Sequence, residues 1–168
     1  PSGEVISTGV PGLDEVLRGG LPAGHLYLVE GDAGAGKTTL ALQFLLEGAR
    51  LGERTLWISL SETEAQLRAT AQSHQWDLTG VEIVNLSHIG SDAPEGEYTF
   101  FSPADIELND VIKSILEVVE RVEPKRVVFD PFSDIRLLAR DPLRYRRLVL
   151  QLREYFVEQQ STVLLIQE

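Results

Sequence analysis

Short apolar runs alternate along this chain with longer stretches in which apolar residues recur every three or four positions. That alternation predicts an α/β fold built on a mainly parallel sheet. Residues 25–30 (HLYLVE) form the first clear strand, entered from a Gly- and Pro-rich segment at 19–24. A helix follows from about Lys37 to Arg50, with Leu40, Phe44, Leu45 and Ala49 at helical spacing. Residues 55–60 (TLWISL) give the second strand and residues 81–86 a short third. Between them Ser61 and Glu64 have the S-x-x-E spacing of a capping box, which predicts a helix over about residues 62–74.

The pattern fails over residues 87–101, where Gly90, Pro94 and Gly96 interrupt a polar, acidic stretch that reads as a surface loop. Ser102-Pro103 supplies an N-cap and a proline suited to the first helical position. The helix it opens carries Leu108, Val111, Ile112, Ile115, Val119 and Val122 on one stripe and stops at Pro124. A buried strand at 126–129 (RVVF) comes next, then a helix opened by Asp141-Pro142 and running to about Gln159. The last strand is residues 162–166 (TVLLI). Neither an internal repeat nor a low-complexity tract interrupts this order.

At 168 residues the chain is the size of one domain. A compact fold of that length buries about 70% of the surface its unfolded chain exposes. The composition, 43% hydrophobic and 24% charged, is that of a soluble globular protein. No window approaches the roughly 20 apolar residues needed to span a bilayer, so a membrane role is not expected. Cysteine is absent, which excludes disulfides and thiolate metal ligands and agrees with a reducing cytoplasm.

Charge narrows the partners. Fifteen Lys and Arg against 26 Asp and Glu give a net charge of −11. A field of that sign repels nucleic acid and anionic lipid, so either partner would need a local basic patch. One candidate exists in Arg136, Arg140, Arg144, Arg146, Arg147 and Arg153. A solvated helix face or subunit contact and a polyanion site both remain open for it.

The chemistry concentrates at Gly31-Asp32-Ala33-Gly34-Ala35-Gly36-Lys37-Thr38, followed by Thr39. The stretch matches G-x-x-x-x-G-K-[ST] in full, a match that arises by chance in a chain of this length with a probability on the order of 10⁻³ to 10⁻². It also falls between a predicted strand and a predicted helix, where that motif belongs. The glycines let the backbone wrap a phosphate with its N–H groups inward, and the helix N-terminus adds partial positive charge there. Lys37 is expected to reach the β- and γ-phosphates of a nucleoside triphosphate and Thr38 to coordinate Mg²⁺. Asp130, after the apolar run Val127-Val128-Phe129, is placed to hold a Mg²⁺-bound water. Strand ends also carry Asp as a turn former, but the phosphate loop upstream favours the metal role. Glu62, just beyond the second strand, is the candidate for orienting or deprotonating the attacking water. The alternative is a first-turn glutamate stabilised by the helix macrodipole.

Several segments together resemble one family. They are Thr8-Gly9-Val10-Pro11-Gly12-Leu13-Asp14, the Gly19-Gly20-Leu21-Pro22 turn, the phosphate loop and the stretch from Arg126 to Ala139. In this order they are similar to the KaiC family of RecA-type ATPases, related to RecA and RadA, over nearly the whole chain. The resemblance implies a RecA-like core, ATP with Mg²⁺, and a homo-oligomer, commonly a hexameric ring with ATP between subunits. It implies phosphate-loop roles for Lys37 and Thr38 and a metal role for Asp130. A nucleotide-driven switch with a protein signalling partner is the leading expectation. The alternatives are a RecA-like DNA-binding ATPase, with the arginine cluster as its DNA contact, and an ATP-binding module with little turnover. Family members often carry two adjacent glutamates after the second strand, where this chain has Ser61-Glu62, so Glu62 must substitute or hydrolysis is slow. Gln167 and Glu168 match the position at which RecA-like proteins sense the γ-phosphate. The family continues past this strand, so the chain reads as a fragment in which the phosphate-loop strand forms an apolar sheet edge.

Overall fold

The computed structural model describes residues 3–61, 63–86 and 108–167. The expectations for Glu62, for the loop at 87–101, for the Ser102-Pro103 cap and for Glu168 lie outside the described residues. In chain order the elements are β1 (Val5–Ile6), α1 (Pro11–Val16), β2 (Leu21–Pro22), β3 (Leu26–Glu30), α2 (Lys37–Arg50), β4 (Thr55–Ser59), α3 (Glu64–Ser73) and β5 (Val81–Asn85). Then follow α4 (Leu108–Val122), β6 (Arg126–Asp130), α5 (Ser133–Ala139), α6 (Pro142–Glu158) and β7 (Thr162–Gln167).

The five main strands form one parallel sheet in the order β3-β7-β6-β4-β5, as a RecA-like core requires. Their side chains alternate between two cores, the consequence of a period-2 pleat covered on both faces. Val127, Phe129, Leu56, Ile58, Val163 and Leu165 face one side with α4, α5 and α6. Val128, Trp57, Leu164 and Ile166 face the other, against Ala41, Leu42, Phe44 and Leu45 of α2 and Leu67 and Ala71 of α3. The α4 stripe behaves as its spacing predicts: Leu108, Val111, Ile115 and Val119 are buried, with Ile112 and Val122 packed against them. Each such side chain contributes roughly 1.5–3 kcal/mol of burial, enough to hold a helix whose opposite face is charged.

One sequence expectation is overturned. Ser61 and Glu64 do not form the capping box. Thr63 is the N-cap of α3, its hydroxyl accepting from the Gln66 N–H while the Gln66 side chain accepts from the Thr63 N–H. The T-x-x-Q frame two residues later satisfies the same two orphan donors, and only one frame can cap a given helix start. Glu64 instead joins the first turn, where it pairs with Arg68 at 2.6 Å.

Elements that the alternation did not reveal are short. β1 and β2 pair antiparallel with Val5 opposite Pro22 and Ile6 opposite Leu21. α1 begins with Pro11 at its first turn, and Asp14 accepts from both the N–H and the hydroxyl of Thr8, at 2.8 and 2.7 Å. α5 follows β6 directly. β3 lies at the end of the sheet order, with Leu28 about half exposed, the apolar edge that the sequence implied. Among the described residues, no helix is long and apolar enough to cross a membrane.

Candidate functional site

Parallel strands place all their carboxyl ends along one rim, and the candidate residues collect there. In register, Ser59 stands beside Asp130 and Glu30 beside Gln167. From Glu30 the chain turns through residues 31–36 and enters α2 at Lys37. Gly34 and Gly36 hold φ of +81° and +95°, the left-handed region that an L side chain occupies only with strain. A Cβ at either would meet nothing within 4 Å, so backbone conformation rather than crowding calls for glycine, and the loop stays open on that side.

Gly36 is the N-cap of α2 and has no side chain to satisfy the first turn. The helical ladder starts at Leu40 N–H to Gly36 O, 2.9 Å, so the N–H groups of Lys37, Thr38 and Thr39 precede it. Those donors and the positive end of the helix dipole make a seat for an anion. Asp32, Ala33, Gly34, Ala35 and Gly36 are exposed around it, whereas Lys37 is 9% exposed. Its Nζ donates to the carbonyls of Gly31 and Asp32, at 2.5 and 2.8 Å. These are contacts to its own loop, which a phosphate oxygen of higher charge would outbid.

Thr38 and Asp130, 92 positions apart in sequence, meet directly. The Thr38 hydroxyl donates to Asp130 Oδ2 at 2.8 Å, and Asp130 is 7% exposed at the end of β6. The peptide from Asp130 to Pro131 is cis. A hydroxyl and a carboxylate are hard oxygen donors, the chemistry that Mg²⁺ takes alongside water and phosphate. Among the described residues no group of three or more His, Cys, Asp or Glu could hold a metal by itself, so a cation here would need other oxygen ligands. The cradle, the lysine and the oxygen pair thus fit a nucleotide phosphate with a divalent cation.

Sequence reading missed Ser59, which is 2% exposed beside Asp130. Strand pairing alone brings it there, and a serine ending an apolar run carries no signal. Gln167 ends β7, 9% exposed, next to the strand that feeds the loop. The six arginines of the basic cluster are all exposed on α5, α6 and the turn between them. Two of them, Arg136 and Arg140, line a cleft of about 380 Å³ with Glu30, Tyr145 and Gln167. Burial raises the Tyr145 hydroxyl above its ordinary pKa, and Arg136 partly offsets that shift.

Comparison with known proteins agrees with this geometry. The family model described as "ATPase: KaiC" matches residues 6–168. The chain is 30% identical to a UPF0273 protein of Aeropyrum pernix over 97% of its own length and 67% of that protein's. It is 30% identical to a UPF0273 protein of Pyrococcus horikoshii, over 88% of this chain and 62% of that one. It is 32% identical to the circadian clock protein KaiC3 of Synechocystis, over 90% of this chain and 31% of that protein. The chain therefore spans about two thirds of the length of the UPF0273 proteins. With a parallel five-stranded RecA-like sheet and a family match over all but its first five residues, this chain belongs to the KaiC family of RecA-type ATPases.

Proposed function

We propose that this domain binds ATP with Mg²⁺ and hydrolyses it, acting as a nucleotide-driven switch within a homo-oligomer. The observation that carries the reading is the Thr38 to Asp130 hydrogen bond beside Lys37, which joins the two halves of a metal and phosphate site across 92 positions of sequence. In this reading the N–H groups of residues 31–39 and the Lys37 ammonium hold the β- and γ-phosphates, and Thr38 and Asp130 hold the cation and its water. Mg²⁺, when bound, neutralises charge on the phosphate oxygens. Lys37 leaves the carbonyls of Gly31 and Asp32 to follow charge onto the transferred group, a stabilisation of the kind that dominates phosphoryl transfer. Glu62 orients the attacking water. The remaining groups around the γ-phosphate come from a neighbouring subunit, as the exposed loop at the rim allows.

Heat-unfolding curves with and without MgATP test the binding half. Wild type should gain stability with ligand concentration, and Lys37→Ala should lose that gain, with affinity falling roughly 100-fold. Unchanged ATP affinity in Lys37→Ala would sink the assignment. Phosphate release tests turnover, and Glu62→Gln should lower it by roughly 10²-fold or more. Release at the wild-type rate would remove Glu62 from the mechanism.

A further inference from the structure

The opposite rim of the sheet holds a buried cation that the proposed chemistry does not use. Arg126 begins β6 and is fully buried. Its Nε donates to Glu53 at 2.7 Å, and its Nη1 donates to the carbonyls of Ser7 and Phe44 at 2.6 and 2.9 Å. The guanidinium lies 4.9 Å from the centroid of the Phe44 ring. Gly48, one helical turn further along α2, leaves the slot it fills: a Cβ there would stand 2.6 Å from Arg126 Cδ and 2.8 Å from its Nε. One side chain therefore fixes β6, α2 and the N-terminal segment to each other. Its Nη2 has no hydrogen-bond partner among the described residues, so the three acceptors it does reach carry the cost of burying it.

β6 and α2 are the two elements that supply the candidate metal ligands. They run in opposite directions and are tied twice. Arg126 ties them at one end, and the Thr38 to Asp130 bond ties them at the other. Arg126 and Asp130 are about 13 Å apart along the strand, and Thr38 and Phe44 about 9 Å apart along the helix axis. A helix resting on an apolar sheet face can slide at modest cost, because burial is non-directional. The fork of Arg126 in the Gly48 slot is directional and sets the height of α2 against β6.

We propose that Arg126 is a positioning residue for the metal end of the site: it holds α2 at the height that brings Thr38 within 2.8 Å of Asp130. This rests on the functional reading above. Its consequence is selective. The anion seat belongs to the loop and the first turn of α2, and among the described residues the Lys37 ammonium hydrogen-bonds to its own loop, so a small slide of the helix carries them together. Thr38 and Asp130 sit on different elements, and a slide separates them. Mg²⁺ demands near-ideal octahedral geometry, so the cation should feel the slide before the phosphates do.

The experiment is a titration of ATP into the full chain with EDTA and with graded Mg²⁺, for wild type, Arg126→Lys and Gly48→Ala. The lysine keeps a positive charge but cannot fork to Glu53 and two carbonyls. The alanine leaves Arg126 in the sequence and crowds it from its slot. Both variants should need about ten-fold more Mg²⁺ for half-saturation, the lower end of what losing a support behind a metal ligand costs. Their ATP affinity in EDTA should stay within about two-fold of wild type. An unchanged Mg²⁺ requirement in a folded variant overturns the proposal, and so does an equal loss with and without Mg²⁺. Loss of the folded state in both variants would make Arg126 a folding residue and overturn it too. A wild-type chain whose ATP affinity is indifferent to Mg²⁺ would sink the functional reading itself, and the inference with it.

Discussion

The two rims of the parallel sheet solve opposite problems with similar residue types. At the carboxyl rim, Lys37, Thr38 and Asp130 are paired with each other or with their own loop, next to exposed glycines. At the amino rim, Arg126 is sealed beneath Phe44 and Gly48 with a carboxylate and two carbonyls as fixed acceptors. In the proposed function the first set exchanges its partners for phosphate and a cation, because an open loop lies alongside. The second cannot let go without leaving charge or carbonyls unpaired in the core. Exchangeable polar contacts mark where a ligand acts, and sealed ones mark where the frame is fixed.

The largest separation between the rims should come from removing one cation at each. Arg126→Met leaves Glu53 without its partner and removes the guanidinium's bonds to the Ser7 and Phe44 carbonyls. Replacing a whole buried ion pair by apolar groups is often neutral, but removing one member is not. The expected loss is about 3 kcal/mol, which for a chain of this size lowers Tm by roughly 6–12 °C. Lys37→Ala, in the absence of nucleotide, should change stability by less than about 1 kcal/mol, since the carbonyls it leaves are at an open loop that water can reach. Thermal unfolding of both variants without ligand checks this. Similar losses would break the contrast.

A smaller effect sharpens it. Glu47 on α2 accepts from Ser7 and pairs with Arg50 at 2.7 Å, continuing the clasp on the N-terminal segment. Arg50, followed by the Ser7 hydroxyl, holds the Glu47 carboxyl at about 2, below the ordinary 4.5. Because the folded-state value is depressed, its contribution is complete above the ordinary carboxylate range and is lost as pH falls from about 4.5 to about 2. Arg50 is 67% exposed, so solvent screens the pair. Glu47→Gln should cost only about 0.5–1 kcal/mol at pH 7. Denaturant midpoints measured across that pH interval should fall less steeply in the variant than in wild type, and equal slopes would show that the pair is not formed.

Much of the frame was legible in the sequence because its signals are local. The short apolar runs, the α4 stripe and the Asp141-Pro142 start are each written in about a dozen adjacent residues or fewer. The phosphate loop is likewise contiguous, so Lys37 and Thr38 could be named before any fold was known. The frame of the α3 cap is not written locally, because S-x-x-E and T-x-x-Q overlap there and a pattern does not say which hydroxyl the chain turns toward the helix. The clasp was invisible for another reason. Ser7, Phe44, Gly48, Glu53 and Arg126 come from four separate stretches, and an arginine opening an apolar run reads as a strand flank.

By itself the sequence determined the α/β alternation and the phosphate-loop motif, and the order of its motifs carried the resemblance to the family. The first two follow from apolar runs, helical spacing and residue types that a short loop cannot do without. Tertiary structure alone decided that Ser59 stands beside Asp130, that Thr38 touches Asp130, and that an arginine at the far end of the same strand is sealed against the helix carrying Thr38. These are matters of register and helix height. Register rests on packing summed over whole strands, and helix height on contacts such as the Arg126 fork, whose partners lie too far apart in sequence for a local pattern to display.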